Sequence, residues 1–336
     1  MRLEDVCIKG TSNIRKKDVN ESGRYPVYGA AGPVGFMNSF QYDEPYVGVV
    51  KDGAGIGRAT YLPSNSSIIG TIQALIPKNN VLPKYLYYAV SSMHLEKYYS
   101  GATIPHIYFK NYKHERFVLV SKKEQEQIIW RFSLLEKMIS NKQQQLLKLN
   151  ELIKARFVEM FGDPVNNSKD QPVDKFINIV KLQRGFDLPV KKRDSTGKIP
   201  VFGSNGIVGY HTEAKAKNGI ITGRSGTIGK VYRKSGEYWP LNTSLFSVDT
   251  HGNNIIFLQV LMQLFHLERF YNGAGVPTLN RNDVHRQKII KISLDKQNEF
   301  ANFVQQVDKS KFENIVYLNK TLSRKILSQI GDVIRD

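Results

Sequence analysis

The apolar positions of the chain follow two different rhythms. Between residues 122 and 161 they fall at Ile128, Phe132, Leu135, Ile139, Leu146, Leu149 and Ile153, with Lys142 filling one step, so that intervals of four and three alternate. That is the spacing of a coiled-coil seam, and it predicts one helix about 60 Å long at about 1.5 Å per residue. Gly162 and Pro164 mark its C-terminal stop. A second seam lies at Val304, Val307, Ile315, Leu318, Leu322 and Ile326, interrupted by Lys311. Neither stripe is wide enough for a globular core, so each seam is expected to pack antiparallel on the other. The competing expectation is that each helix packs on its own domain.

Elsewhere the apolar runs are short and separated by Gly and Pro, as in "YVGVV", "GIITG", "RFVLV" and "KIIKI", which read as strands joined by tight turns. Each half also carries one helical stretch, "KYLYYAVSSMHLEKYY" and "IIFLQVLMQLFHLERFY". The expected class is therefore α+β, with a globular domain over 1–121, a spacer helix over 122–162, a second globular domain over 163–294 and a C-terminal spacer helix over 295–334.

The two halves are copies. "GRYPVYGAAGPVGF" returns as "GKIPVFGSNGIVGY", placing Gly23, Gly29, Gly32 and Gly35 on Gly197, Gly203, Gly206 and Gly209 at a constant shift of 174. "GAGIGRATY" matches "SGTIGKVY" at a shift of 172, and "SGATIPHI" matches "NGAGVPTL" with Pro105 on Pro277. Turn glycines and prolines in register twice over indicate a tandem duplication.

Charge then narrows the class. The net charge is +18, and it is spread: residues 1–172 hold 23 basic against 16 acidic side chains, residues 173–336 hold 25 against 14. Two separately basic domains favour a polyanionic partner such as nucleic acid. No apolar run is long enough to span a bilayer, and the single cysteine, Cys7, excludes an internal disulfide and fits a reducing cytoplasm.

The stretch "KDGAGIGRA" tempts a nucleotide-loop reading, but both copies fail it. The glycines give way to "RATYLP" in one copy and "KVY" in the other, which read as strands, and neither copy has the P-loop spacing with Ser or Thr after the lysine. A tight hairpin exposing backbone amides and a cation fits better. There is no Cys-x-x-Cys, no His-Glu-x-x-His and no Asn-Pro-Pro-aromatic tetrapeptide, and the seven histidines are scattered. His94 and His266 align within the helical stretch, which suggests packing. Asp52 and Glu44 near the first glycine loop have no counterparts. No catalytic centre, metal site or cofactor site is expected.

Duplicated basic domains on a helical spacer suit two DNA half-sites at a fixed separation. Shared positions are then scaffold: Gly29, Gly32, Gly57 and Pro105 in the first copy, Gly203, Gly206, Gly229 and Pro277 in the second. Divergent or basic positions on the same loops are the candidate DNA contacts: Lys51, Arg58, His106, Lys110 and Lys113, then Asn205, Arg224, Lys230, Thr278 and Arg281. By shift alone Lys51 and Asp52 stand against Gly223 and Arg224, and His106 against Thr278.

With "IPVFG" and its following glycines, "KDGAGIGR"/"GRSGTIGK", "GATIPHI"/"GAGVPTL", "SKKEQEQI" and "EMFGDP" occurring in order, the chain resembles the DNA-specificity subunit of type I restriction-modification systems. The resemblance implies two target recognition domains and an antiparallel coiled coil that sets the gap of a bipartite recognition sequence. It also implies double-stranded DNA and two methyltransferase subunits as partners, with two nuclease/translocase subunits able to join, and it leaves methyl donor and ATP to those partners. Two other readings stay open on the residues alone: a coiled-coil structural adaptor without base-specific reading, and a DNA-modifying enzyme with a degenerate active site.

Overall fold

The computed structural model describes residues 1–101, 105–194, 196–273 and 275–321, with backbone alone at 318–321. The chain divides into two compact units, 1–142 with 317–336, and 143–316.

In the first unit α1 (Leu3–Val6) leads into β1 (Cys7–Gly10), followed by β2 (Tyr25–Gly29), β3 (Gly32–Met37), β4 (Tyr46–Val50), β5 (Ala59–Leu62), β6 (Ser67–Ile68) and β7 (Ile72–Pro77). Helices α2 (Pro83–Ser91) and α3 (Phe109–Tyr112) complete the globular part, and α4 (Lys122–Phe161) is the long helix. One sheet has the order β1-β7-β4-β5 and a second the order β3-β2-β6. Every residue of "YVGVV" in β4 is buried, as a central strand covered on both faces requires. The core packs Val47, Val49 and Leu75 of the first sheet against Tyr85, Leu86, Ala89 and Val90 of α2, with Phe117 beyond. "RFVLV" forms no strand; only an isolated bridge joins Arg2 to Arg116. Cys7 is buried in this core, its thiol donating to the Leu3 carbonyl at 3.2 Å, and burial pushes its pKa up to about 12.

The second unit adds β8 (Val173–Lys175), α5 (Phe176–Ile179), β9 (Lys181–Arg184), β10 (Ile199–Gly203), β11 (Gly206–His211), β12 (Ala216–Gly223), β13 (Val231–Pro240) and β14 (Ser244–Asp249). Then come α6 (Ile255–Leu264), β15 (Tyr271–Asn272), β16 (Thr278–Leu279), α7 (Arg281–His285), β17 (Lys288–Ile290) and α8 (Leu294–Thr321). Its main sheet has the order β11-β10-β13-β12-β14-β9. Here β13 runs unbroken, pairing with β12 along one stretch and in parallel with β10 at Val201 and Phe202. In the first unit the same path is cut at "PSNS", and the two pieces, β5 and β6, belong to separate sheets.

The helical stretches after these sheets do not run as far as their apolar pattern suggests. Both α2 and α6 end, and His94 and His266 come next in the left-handed region at φ 52° and 54°, opening a short 3₁₀ turn. Each is exposed and bonds a glutamate two residues on, His94 to Glu96 at 3.2 Å and His266 to Glu268 at 2.9 Å. The packing role expected of the two histidines is therefore corrected: they form a chain reversal.

Helix α4 opens on a capping box, with the Ser121 N–H donating to Glu124 at 2.9 Å and the Glu124 N–H donating to Ser121 Oγ at 3.3 Å. It closes at Gly162, φ 84°, whose N–H donates to the Val158 carbonyl. In the first unit its early turns pack on the globular core: Ile128 joins it, and Phe132 lies tilted against Tyr88 with ring centroids 4.7 Å apart. Leu135, Ile139 and Leu146 are half-buried. In the second unit, Leu149, Ile153, Phe157 and Phe161 join a core with Phe257, Phe300, Val304 and Val307. Phe157 and Phe161 both meet Phe300, at 5.4 and 5.8 Å. Thus part of the seam meets α8 and part meets its own domain. Ile315 is exposed, Leu318 is described as helical backbone only, and Leu322 and Ile326 lie outside the described residues.

A buried glutamine anchors each long helix. Gln125 Oε1 accepts from the Leu82 N–H at 2.8 Å, while its Nε2 donates to the Asn80 and Val120 carbonyls at 2.9 Å. Gln297 repeats this: Oε1 accepts from Asn254 N–H at 2.9 Å, and Nε2 donates to Asn253 Oδ1 and the Ile292 carbonyl. Leu82 and Asn254 are the residues from which α2 and α6 start. The amide thus satisfies backbone groups that a helix end leaves open inside a core.

Candidate nucleic-acid interface

Three loops converge in each unit, and two of them are joined by the same backbone hydrogen bonds in both. In the first, the chain leaves β4, passes Gly53, Gly55 and Gly57 at φ 84°, 83° and 81°, and returns in β5. The Gly57 N–H closes the turn on the Val50 carbonyl at 2.8 Å. The segment around Pro105 crosses this loop: Gly53 N–H donates to the Pro105 carbonyl at 3.0 Å, and Ile107 N–H to the Lys51 carbonyl at 2.9 Å. The second unit has Gly226 N–H on the Pro277 carbonyl at 3.0 Å and Leu279 N–H on the Arg224 carbonyl at 2.7 Å. The third loop is the two-residue turn of a hairpin, Ala30–Ala31 between β2 and β3 and Ser204–Asn205 between β10 and β11. Its flanking Gly32 and Gly206 have φ 120° and 102°, conformations that side chains resist.

The cation after each glycine loop ties the loops together. The Arg58 guanidinium donates to the Ala30 carbonyl, and Lys230 Nζ donates to Asn205 Oδ1 at 2.6 Å. Three predicted contacts are therefore engaged in holding the turn, by different chemistry in the two copies. Gly57 is needed for a further reason: a Cβ there would lie 2.4 Å from the Glu96 backbone nitrogen in the 3₁₀ turn after His94. At Gly229 the equivalent obstacle is the Glu268 side chain, 2.5 Å away, and Gly29 and Gly203 face Val34 and Val208 in the same manner.

These bonds correct the pairing read from the sequence. Lys51 and Arg224 both donate their N–H to a threonine carbonyl, Thr71 at 3.0 Å and Thr243 at 2.8 Å, and both accept from the proline segment. Lys51 is thus equivalent to Arg224, and the bridge Asp52–His106 to Ser225–Thr278. The second glycine loop is one residue shorter than the first, which is why a constant shift misplaces its start.

Around this frame the side chains differ. His106 Nδ1 and Asp52 Oδ1 are 2.7 Å apart, with Tyr108 stacked nearby. Lys110 is exposed and lies 5.6 Å over the Tyr108 ring. Lys113 is instead tied 2.8 Å from Glu4 of α1, whose carboxyl it holds below the usual range. In the second unit a groove of about 380 Å³ is lined by Arg184, Arg224, Thr278 and Arg281. Arg224 Nε donates to the Asn242 carbonyl at 2.7 Å, which steadies the guanidinium, and Arg281 is exposed. Arg184, on β9, is the residue that sequence reasoning missed; it enters only through sheet pairing with Leu245.

His285, four residues after Arg281, is buried. Its Nε2 accepts the Leu182 N–H at 2.9 Å, so this nitrogen carries no proton. Burial, then the nearby Arg281 and Lys181 charges, hold its pKa below the ordinary 6.5. The unfolded chain therefore takes up a proton before the folded one as pH falls below about 6.5, and stability drops with it. Urea midpoints of the second unit are expected to fall across that range, and His285→Gln, which keeps an acceptor, is expected to flatten the dependence.

Among the described residues no group of three metal-ligating side chains occurs, and no helix is long and apolar enough to cross a membrane.

Two tandem α+β units, each with the same three-loop cluster and a long helix, define a duplicated recognition-domain architecture. The chain belongs to the family of type I restriction modification DNA specificity domains, which matches it over residues 1–151 and 175–324. It is similar to the S subunit of a type I restriction-modification system from M. genitalium, with a TM-score of 0.60 and 17% identity over 100% of this chain and 96% of that one. A chain solved in work on complex assembly and conformational transition of the type I R-M system gives a TM-score of 0.57 at 10% identity, over 100% and 96%. At these identities the likeness is one of fold. No curated protein matches the chain.

Proposed function

We propose that this chain is the DNA-reading subunit of a type I restriction-modification complex, without a catalytic site of its own. Each unit places its three-loop cluster on one half of a split recognition sequence, and the long helices set the gap between the halves. Two methyltransferase subunits dock on this scaffold and supply the chemistry, and nuclease/translocase subunits join them. The observation that carries the reading is the repeated backbone frame, with different side chains at its centre: Asp52 and His106 in one unit, Ser225 and Thr278 in the other. A common frame with different polar groups suits two similar domains that read different bases. The spread of positive charge supports contact with phosphates.

The test is selection of bound duplexes from a random pool by the full chain with its methyltransferase partner. The expected product is one gapped sequence with two dissimilar halves. Binding that enriches no such sequence would return the chain to the adaptor reading.

A further inference from the structure

In the first unit a carboxylate stands at the centre of a surface that, on the reading above, faces DNA. Asp52 lies in the glycine loop and His106 in the proline segment, joined by a backbone bridge and by the 2.7 Å contact of Oδ1 with Nδ1. Their side chains are 30% and 36% exposed, so the pair opens to solvent. Among the described residues the second oxygen of Asp52 and Nε2 of His106 have no hydrogen-bond partner. Lys51 is next in sequence, at the position where the other unit has Arg224, so both units carry a basic residue immediately before this position. The second unit puts the hydroxyls of Ser225 and Thr278 where the first has the acid and the imidazole.

A carboxylate is repelled by phosphate, so an aspartate on a DNA-facing loop needs a donor. In the major groove the donors are the exocyclic amines, cytosine N4 and adenine N6. A free carboxylate would rotate and lose selectivity; one oxygen held by an imidazole leaves the other with a set direction. We propose that Asp52, positioned by His106, accepts a hydrogen bond from an exocyclic amino group in the major groove of the half-site read by the first unit, and so fixes one base of that half-site. This inference rests on the DNA-reading role proposed above.

The experiment replaces bases of the selected site one at a time in synthetic duplexes. 2-Pyrimidinone stands in for cytosine and purine for adenine, each lacking only the major-groove amine, and inosine stands in for guanine, lacking the minor-groove amine. Wild-type chain with its methyltransferase partner is expected to lose affinity about tenfold or more at one position of one half-site. The analogue that causes the loss separates cytosine from adenine. Asp52→Ala is expected to be insensitive to that replacement while keeping the preferences of the other half-site, and His106→Ala to weaken the preference at the same position. Loss at no amine, loss with inosine alone, or equal sensitivity in Asp52→Ala overturns the proposal. A wild-type scan without loss at any amine overturns the proposal with no variant needed, and should Asp52→Ala fold poorly, Asp52→Asn, which keeps the shape but not the charge, carries the same comparison. Failure of the wild type to select any gapped site overturns the DNA-reading role itself, a different result.

Discussion

Gly57→Ala is expected to destabilise the first unit by about 3 kcal/mol, and Gly229→Ala to destabilise the second by about half as much. Both glycines sit at positive φ, 81° and 89°, which costs a side chain about 1–2 kcal/mol. The difference lies in what the new methyl meets. At Gly57 it meets backbone, the Glu96 nitrogen at 2.4 Å and the Leu95 carbonyl carbon at 2.9 Å, and the 3₁₀ turn must shift to make room. At Gly229 it meets the end of the Glu268 side chain, which can swing away. Gly53, at φ 84° with nothing within 4 Å, supplies the control in which strain acts alone. Hydrogen exchange followed separately in the two units, alongside urea unfolding, measures the three variants; equal losses at Gly57 and Gly229 would remove the packing argument.

The buried glutamines give the second large effect. Gln125→Leu keeps the volume near the original but leaves the Leu82 N–H and two carbonyls without partners in a closed core. At about 1–3 kcal/mol for each unpaired buried group, partly relieved by relaxation, the expected loss is about 3–5 kcal/mol. Gln297→Leu is expected to cost somewhat less in the second unit, because two of its three bonds go to backbone groups and the third to the Asn253 side chain, which can turn away. Gln125→Glu retains the acceptor but loses the donors and buries a charge, and is expected to be no better than Gln125→Leu. Unfolding midpoints of the full chain measure all three, and a loss under about 1 kcal/mol would show that water replaces the amide.

The duplication, the hairpin nature of the glycine loop and the scaffold glycines are legible in the residues, because turns demand glycine and proline at fixed offsets. Gly57 and Gly229 lie at positive φ, and the Pro105 and Pro277 carbonyls accept from the glycine loops, backbone geometry that glycine and proline announce by residue type. The equivalence of Lys51 with Arg224 is hidden because a loop shorter by one residue shifts the alignment between its flanking motifs, and only hydrogen bonds show where the slip occurs. The reversal at His94 and His266 is also hidden, since histidine signals a left-handed conformation only weakly and the apolar pattern runs on through it. Gln125 and Gln297 did leave a signal, a polar residue repeated at a shift of 172 just inside each long helix. Phe132 illustrates a different limit. Periodicity tells which face of a helix is apolar, but not that this turn packs on Tyr88 while Phe157 and Phe161 pack on Phe300.

The glycine loop and the proline segment are joined by main-chain groups: Gly53 on Pro105, Ile107 on Lys51, Gly226 on Pro277, Leu279 on Arg224. Side chains at 51, 52, 106, 224, 225 and 278 therefore hang from a frame that does not depend on their identity. Such a frame can exchange its central residues at little cost to folding, and on the reading proposed above each exchange would alter the bases that the unit reads. A domain copied within one chain can then drift from its twin at these positions while both still fold.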